Sequence, residues 1–268
     1  MKWTSCIALG AAFAALLASA LPAMADLKIG ISAEPYPPFA SQDAAGTWVG
    51  WEIDFAEALC AEVKEKCEIV ATAWDSIIPA LTSKQIDVIV ASMLITQERK
   101  EAIDFTRFYY DTPPAIIGAK NGDKDISPAH MKGKMLGVQA ATGHELYATR
   151  YLVPPGVGLK TYLTLDEANT DLAAARLDYV LASSPALYDF LGTDQGKQCC
   201  ELKSIVEKPA DDTGIYGEGV GAGVRKEDTA LKDKLNAAIA AMAKAGEFEE
   251  ITKNYPHLVG KITLPSGE

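Results

Sequence analysis

Short apolar runs alternate with longer stretches of helical periodicity, and they do so twice, which narrows the folds open to this chain more than any other feature. Strands at 27–31, 68–71 and 87–91 are separated by amphipathic segments at 54–64 and 76–84, a switch of period from two to 3.6 that marks strand and helix. The pattern resumes with a strand at 135–139, a helix from His144, a helix at 166–177, a strand at 178–182 and a helix at 185–191. Strands and helices in alternation bury their apolar sides as sheets covered by helices, so the fold class is α/β, and two successive units predict two lobes. Between them, Tyr109-Tyr110-Asp111-Thr112-Pro113-Pro114 is a stiff extended crossover. A glycine-rich return over 214–223 leads to Val224, a long helix at 229–245 and a shorter one at 248–255 spaced to dock on the first unit. Two crossovers predict a hinge, with lobe 1 over 26–112 and 220–268, lobe 2 over 113–219, and a ligand cleft between them.

The first 25 residues read differently. Met1-Lys2-Trp3, an apolar run over 7–21 and Ala23-Met24-Ala25 form a secretory signal peptide, residues 1–25, with a small-x-small cleavage site. The run is shorter than the roughly 20 residues that span a bilayer, so the expected mature protein is soluble and exported. A formal charge of −11, three histidines and no basic run argue against nucleic acid and anionic membrane surfaces. No His/Cys spacing suits a metal and no phosphate-loop motif is present, so no cofactor is expected. Cys60 and Cys67 sit at the end of a helix and the start of a strand, a spacing that a local disulfide bridges. The adjacent Cys199 and Cys200 leave three states open: a vicinal ring, a link to another chain, or free thiols. A monomer is the default for a clamp that must open.

Three places carry chemistry. Thr96 reads as the N-cap of a helix whose first turn holds Arg99, and backbone N–H groups at a helix start beside a guanidinium suit a carboxylate. A surface arginine tied to a nearby acid is the plainer alternative. Thr142-Gly143-His144-Glu145 follows the strand ending at Gln139 and reads as a capping box opening another helix. If the lobes face each other, the two helix starts converge on one small acid. Tyr36, in Glu34-Pro35-Tyr36-Pro37-Pro38, and Trp74, in Thr72-Ala73-Trp74-Asp75, are loop aromatics that either pack ordinarily or flank a cationic side chain, at about 0.5 to 2 kcal/mol per contact.

Gly50-Trp51-Glu52-Ile53-Asp54-Phe55, Trp74-Asp75-Ser76-Ile77-Ile78-Pro79-Ala80-Leu81, Ile95-Thr96-Gln97-Glu98-Arg99 and Ile103-Asp104-Phe105-Thr106 together resemble the polar amino-acid-binding periplasmic proteins, solute-binding protein family 3. The likeness extends through 219–228 and is nearest to the lysine, arginine, ornithine, histidine and opine binders. It implies a two-lobed periplasmic-binding-protein-like fold of type II, a disulfide between Cys60 and Cys67, and delivery of an amino acid or related compound to an ABC permease in the inner membrane. It also implies that Arg99 takes the ligand carboxylate, that Tyr36 and Trp74 sandwich the side chain, and that Glu52 and Glu34 meet a distal positive group. Ser92, Thr142 and Gly143 fall where the family offers hydroxyl and backbone contacts, with Gln139 and His144 beside them.

The chain departs from the family where an α-ammonium is held. Leu94 and Ala91 stand where serines are usual, and Ser183 stands where an aspartate is. A charged hydrogen bond is worth about 1.5 to 3 kcal/mol, so the expected ligand lacks a free α-ammonium or carries a substituted one, as opines do. The alternative function is an enzyme resembling cyclohexadienyl dehydratases, for which His144 and Glu34 are the only acid or base candidates.

Overall fold

The computed structural model describes residues 26–208 and 214–267; the expected signal peptide lies outside them. Along the chain come β1 (Leu27–Ser32), a hairpin of β2 (Ser41–Gln42) and β3 (Trp48–Val49), α1 (Trp51–Val63), β4 (Cys67–Thr72), α2 (Ile77–Thr82), β5 (Val88–Ile89), α3 (Gln97–Ala102) and β6 (Asp104–Tyr110). The next unit holds β7 (Pro114–Ala119), β8 (Met135–Gln139), α4 (Gly143–Tyr147), β9 (Gly158–Tyr162), α5 (Leu165–Ala173), β10 (Tyr179–Ser183), α6 (Ser184–Gly192), α7 (Asp194–Cys199) and β11 (Cys200–Ile205). The chain then returns through β12 (Val220–Val224), α8 (Thr229–Ala245) and α9 (Glu247–Lys253).

These strands form two five-stranded mixed sheets, ordered β4-β1-β5-β12-β6 and β11-β7-β10-β8-β9. In the first, β4, β1 and β5 run parallel; in the second, β9, β8 and β10 do. Parallel strands put their carboxyl ends on one edge, where open α/β sheets bind ligands. Each sheet has its own apolar core. In the first, α1 turns Trp51, Phe55, Leu59 and Val63 inward at helical spacing while Glu52 and Asp54 complement the dipole of its first turn. Phe55 stacks on Tyr109 of β6 at 4.3 Å and on Phe248 of α9 at 5.6 Å, so the last helix docks on the first unit as its spacing predicts.

The structure departs from the sequence reading at several elements. Residues 104–110 and 114–119 are strands on either side of a crossover only three residues long, and the glycine-rich return ends in β12, a strand inside the first sheet. Gly221 allows this: a Cβ there would lie 2.7 Å from Ile95 Cδ1. A third tie joins the two crossovers. Asp111 pairs with Thr263 of the tail through two backbone hydrogen bonds of 2.8 Å, and Lys261 lies 3.9 Å from the ring centre of Tyr188 on α6. Lys208 of the return donates to Asp111 as well, at 2.7 and 2.8 Å.

Cys60 and Cys67 are bonded, tying the end of α1 to the start of β4. Of the three states open to Cys199 and Cys200, the structure has the vicinal bond, at the junction of α7 and β11. Among the described residues no helix is long and apolar enough to cross a membrane, and no group of three or more His, Cys, Asp and Glu is placed to hold a metal ion.

Candidate functional site

The loops leaving the carboxyl ends of β1, β4 and β5 form one face of a cleft, and those leaving β8 and β10 form the other. The cavity enclosed between them measures about 50 Å³, room for several waters.

On the first face, Thr96 caps α3, its hydroxyl accepting from Arg99 N at 3.3 Å. The Arg99 guanidinium spans the cleft: Nη1 donates to Leu94 O at 2.9 Å, and Nη2 to Ala141 O on the opposite face at 3.0 Å. Burial brings its pKa down to about 10, so it stays cationic at neutral pH. Its Cζ lies 5.3 Å from the ring centre of Trp74. Trp74 in turn donates Nε1 to Ala140 O at 3.2 Å and its backbone N to Glu34 Oε2 at 2.9 Å. Tyr36 is hydrogen-bonded to Ser183 at the end of β10, and burial pushes its hydroxyl up to about 12. Each of these three side chains therefore touches both faces.

Glu52 lies at the floor, 1% exposed. Its Oε1 accepts from Ser92 N at 2.7 Å and from the Tyr109 hydroxyl, and its Oε2 accepts from Ser92 Oγ at 2.8 Å. Burial raises its pKa. The meeting with a distal cation expected of Glu52 thus finds both oxygens already engaged. Ala91 and Leu94 line the same floor as buried apolar groups.

On the second face, Thr142 caps α4 by accepting from Glu145 N at 3.2 Å and donates to Gln139 O at 2.7 Å. The reciprocal half of the expected capping box is absent there: the Glu145 carboxylate accepts from Ala141 N instead. A full capping box is found at Thr164 and Glu167, opening α5. Gly143 sits where a Cβ would come within 2.8 Å of both Ile215 O and Leu94 Cδ1. His144 is buried beside Tyr216, and burial, with Arg99 and Lys208 adding to it, drops its pKa to about 3, leaving it neutral.

The cleft gathers Glu34, Tyr36, Glu52, Trp74, Ala91, Ser92, Leu94, Arg99, Gln139, Thr142, Gly143, His144 and Ser183 into one lining. Sequence reasoning missed Ser32, Ala40, Leu165, Leu181, Ala182 and Val220, which complete it; all but Ala40 sit in or open the strands and helices whose ends meet there. The acids among the lining residues are Glu34 and Glu52, and neither Leu94 nor Ser183 brings a carboxylate.

Residues 27–257 match the bacterial extracellular solute-binding proteins, family 3. The L-arginine-binding protein of Pseudomonas aeruginosa is 41% identical over 230 residues, 85% of this chain and 87% of that protein. The histidine-binding periplasmic protein of Salmonella typhimurium is 35% identical over 230 residues, again 85% and 87%. Among solved structures, an ancestral arginine-binding protein bound to arginine superposes with a TM-score of 0.76 at 31% identity, covering 86% of this chain and 97% of that one.

Proposed function

Because the chain belongs to the bacterial extracellular solute-binding proteins, family 3, we propose that it is the exported ligand-binding component of an ABC amino-acid importer whose cleft holds arginine or a derivative of it. In this reading residues 1–25 are the cleaved export signal, and the two lobes close around a carboxylate with a cationic side chain. The observation that carries it is Arg99, a half-buried cation whose Nη2, among the described residues, donates to a backbone carbonyl of the opposite face. A ligand carboxylate between the faces offers it two charged acceptors in place of one neutral one. Trp74 and Tyr36 flank the same space, and the Glu34 carboxylate stands beside them for a guanidinium.

Leu94, Ala91 and Ser183 supply no charge for an α-ammonium, which favours arginine derivatives substituted on the α-nitrogen over arginine itself. The protein is a binder and not an enzyme. A histidine with a pKa of about 3 is a poor base at neutral pH, and Glu34 Oε2 is held by Ser32 Oγ and Trp74 N.

Unfolding measured with arginine, lysine, ornithine, histidine and N-substituted arginines tests this. A ligand at 100 times its Kd adds about 2.7 kcal/mol of stability and is recovered unchanged. The expected order places substituted arginines first. Equal affinity for arginine and its derivatives overturns the substituted-nitrogen reading, and no shift with any cationic carboxylate overturns the assignment of ligand class.

A further inference from the structure

Two carboxylates line the cleft, and the structure uses them differently. Glu34 spends Oε2 on Ser32 Oγ at 2.7 Å and Trp74 N at 2.9 Å, while its Oε1 accepts from no described residue. Glu52 spends both oxygens, on three donors. Two of those donors belong to Ser92, a non-glycine residue in the left-handed region at φ 51°, a conformation that a residue with a Cβ holds only where its surroundings impose it. Two residues further on, the Leu94 carbonyl accepts from Arg99 Nη1, and Leu94 pairs with Val220 of β12 as an isolated bridge. A continuous line of contacts therefore runs from the first turn of α1 through Ser92 and Leu94 to the guanidinium.

We propose that Glu52 is a positioning residue that imposes the left-handed turn at Ser92, and so places the Leu94 carbonyl and the Arg99 guanidinium, and that it does not receive the ligand's cation. Glu34 is left to do that. The division of labour rests on the reading that the cleft takes arginine-like carboxylates. It predicts that Glu52 governs affinity for the carboxylate end, which every such ligand shares, whereas Glu34 governs selectivity for the charged end.

Arginine and citrulline, which differ by a guanidinium against a neutral urea of the same shape, separate the two roles. Titration calorimetry of both ligands is compared for the wild type, Glu52→Gln, Glu52→Asp and Glu34→Gln, alongside amide exchange of the unliganded proteins over residues 91–95. Gln offers one acceptor oxygen where the carboxylate offers two, and Asp keeps the charge but falls one methylene short of Ser92. Both Glu52 variants are expected to weaken arginine and citrulline together, by about ten- to a hundredfold, with their ratio unchanged and faster exchange at Ser92. Glu34→Gln is expected to collapse the ratio and leave that exchange alone.

A selective loss of arginine in Glu52→Gln that Glu52→Asp restores, with exchange unaltered, overturns the proposal. If the wild type binds neither ligand, the arginine reading fails, and the exchange measurement still decides what Glu52 holds. Tyr109→Phe removes a single donor from Glu52 while its ring stays stacked on Phe55. It is the milder variant should Glu52→Gln not fold, with both constants expected to rise together by a smaller factor and a selective loss of arginine again overturning the idea.

Discussion

The two faces of the cleft are built from different materials. The first presents long side chains: the guanidinium of Arg99, the indole of Trp74, the phenol of Tyr36 and the carboxylates of Glu34 and Glu52. The second answers with the carbonyls of Ala140 and Ala141, the hydroxyl of Ser183, a glycine with no room for a methyl group, and the uncharged side chains of Gln139, Thr142 and His144. Side chains carry chemical identity, whereas backbone carbonyls are alike in every residue and lose no rotamer freedom on contact. The charged and aromatic side chains of the cleft lining thus stand on the first face, and the second meets them with neutral groups. Similar sheets underlie both, so the difference lies in the loops.

Removing the principal side chain of the first face should break this asymmetry most severely. Arg99→Ala takes away the expected carboxylate anchor together with the bond to Ala141 O. Truncating one partner of a buried, hydrogen-bonded charge pair costs about 2 to 5 kcal/mol, so arginine affinity measured by calorimetry should fall at least thirtyfold, a figure that corresponds to about 2 kcal/mol. Little change would mean that the carboxylate is gripped by the second face instead.

Among the residues that line the cleft from the second face, His144 is the titratable one, and its effect is smaller. Burial holds the folded-state pKa of His144 at about 3, against 6.5 for an ordinary histidine. A lowered pKa means the unfolded chain binds the proton more readily, so the contribution is complete above pH 6.5 and is lost as pH falls toward 3. The slope for one proton is about 1.4 kcal/mol per pH unit, or about 2 kcal/mol between pH 6.5 and 5. Urea unfolding of the wild type and His144→Asn across that window should show a shallower pH dependence in the variant. Identical slopes would show that protonation of His144 does not limit the acid stability of the second face.

How legible each face is in the sequence follows from the same contrast. Glu34, Tyr36, Trp74 and Arg99 can be picked out because charged and aromatic residues in loops after strand ends have few purely structural reasons to be there. Leu165, Leu181, Ala182 and Val220 cannot, since an apolar residue lining a cleft looks like one filling a core. The lobes were readable from β1, β4, β8 and β10, whose apolar runs are plain. The edge strands β9 and β11 were not, because they are only partly covered and mix polar with apolar residues. Nor does the sequence disclose what Glu52 does. Its donors Ser92 and Tyr109 lie 40 and 57 residues away, and only the fold brings a left-handed serine against a helix start.

The mildest test separates the side chain from the backbone it meets. Trp74→Phe keeps an aromatic ring in the cleft but removes Nε1, whose bond to Ala140 O is 3.2 Å long, together with part of the indole surface. The Ala140 residue is half-buried, so water can take over its carbonyl, which places the cost near the ordinary value for one neutral hydrogen bond, about 1 kcal/mol. Because that bond joins the two faces, it exists only when the cleft is shut. The loss should therefore fall on ligand affinity, by about fivefold, and not on the unfolding midpoint of the free protein. A much larger drop would mean that the full indole face is needed against the ligand's cation, giving Trp74 a share in selection beyond flanking it. No drop at all would mean that the second face closes without this carbonyl, leaving Arg99 and Tyr36 as the side chains that join the faces.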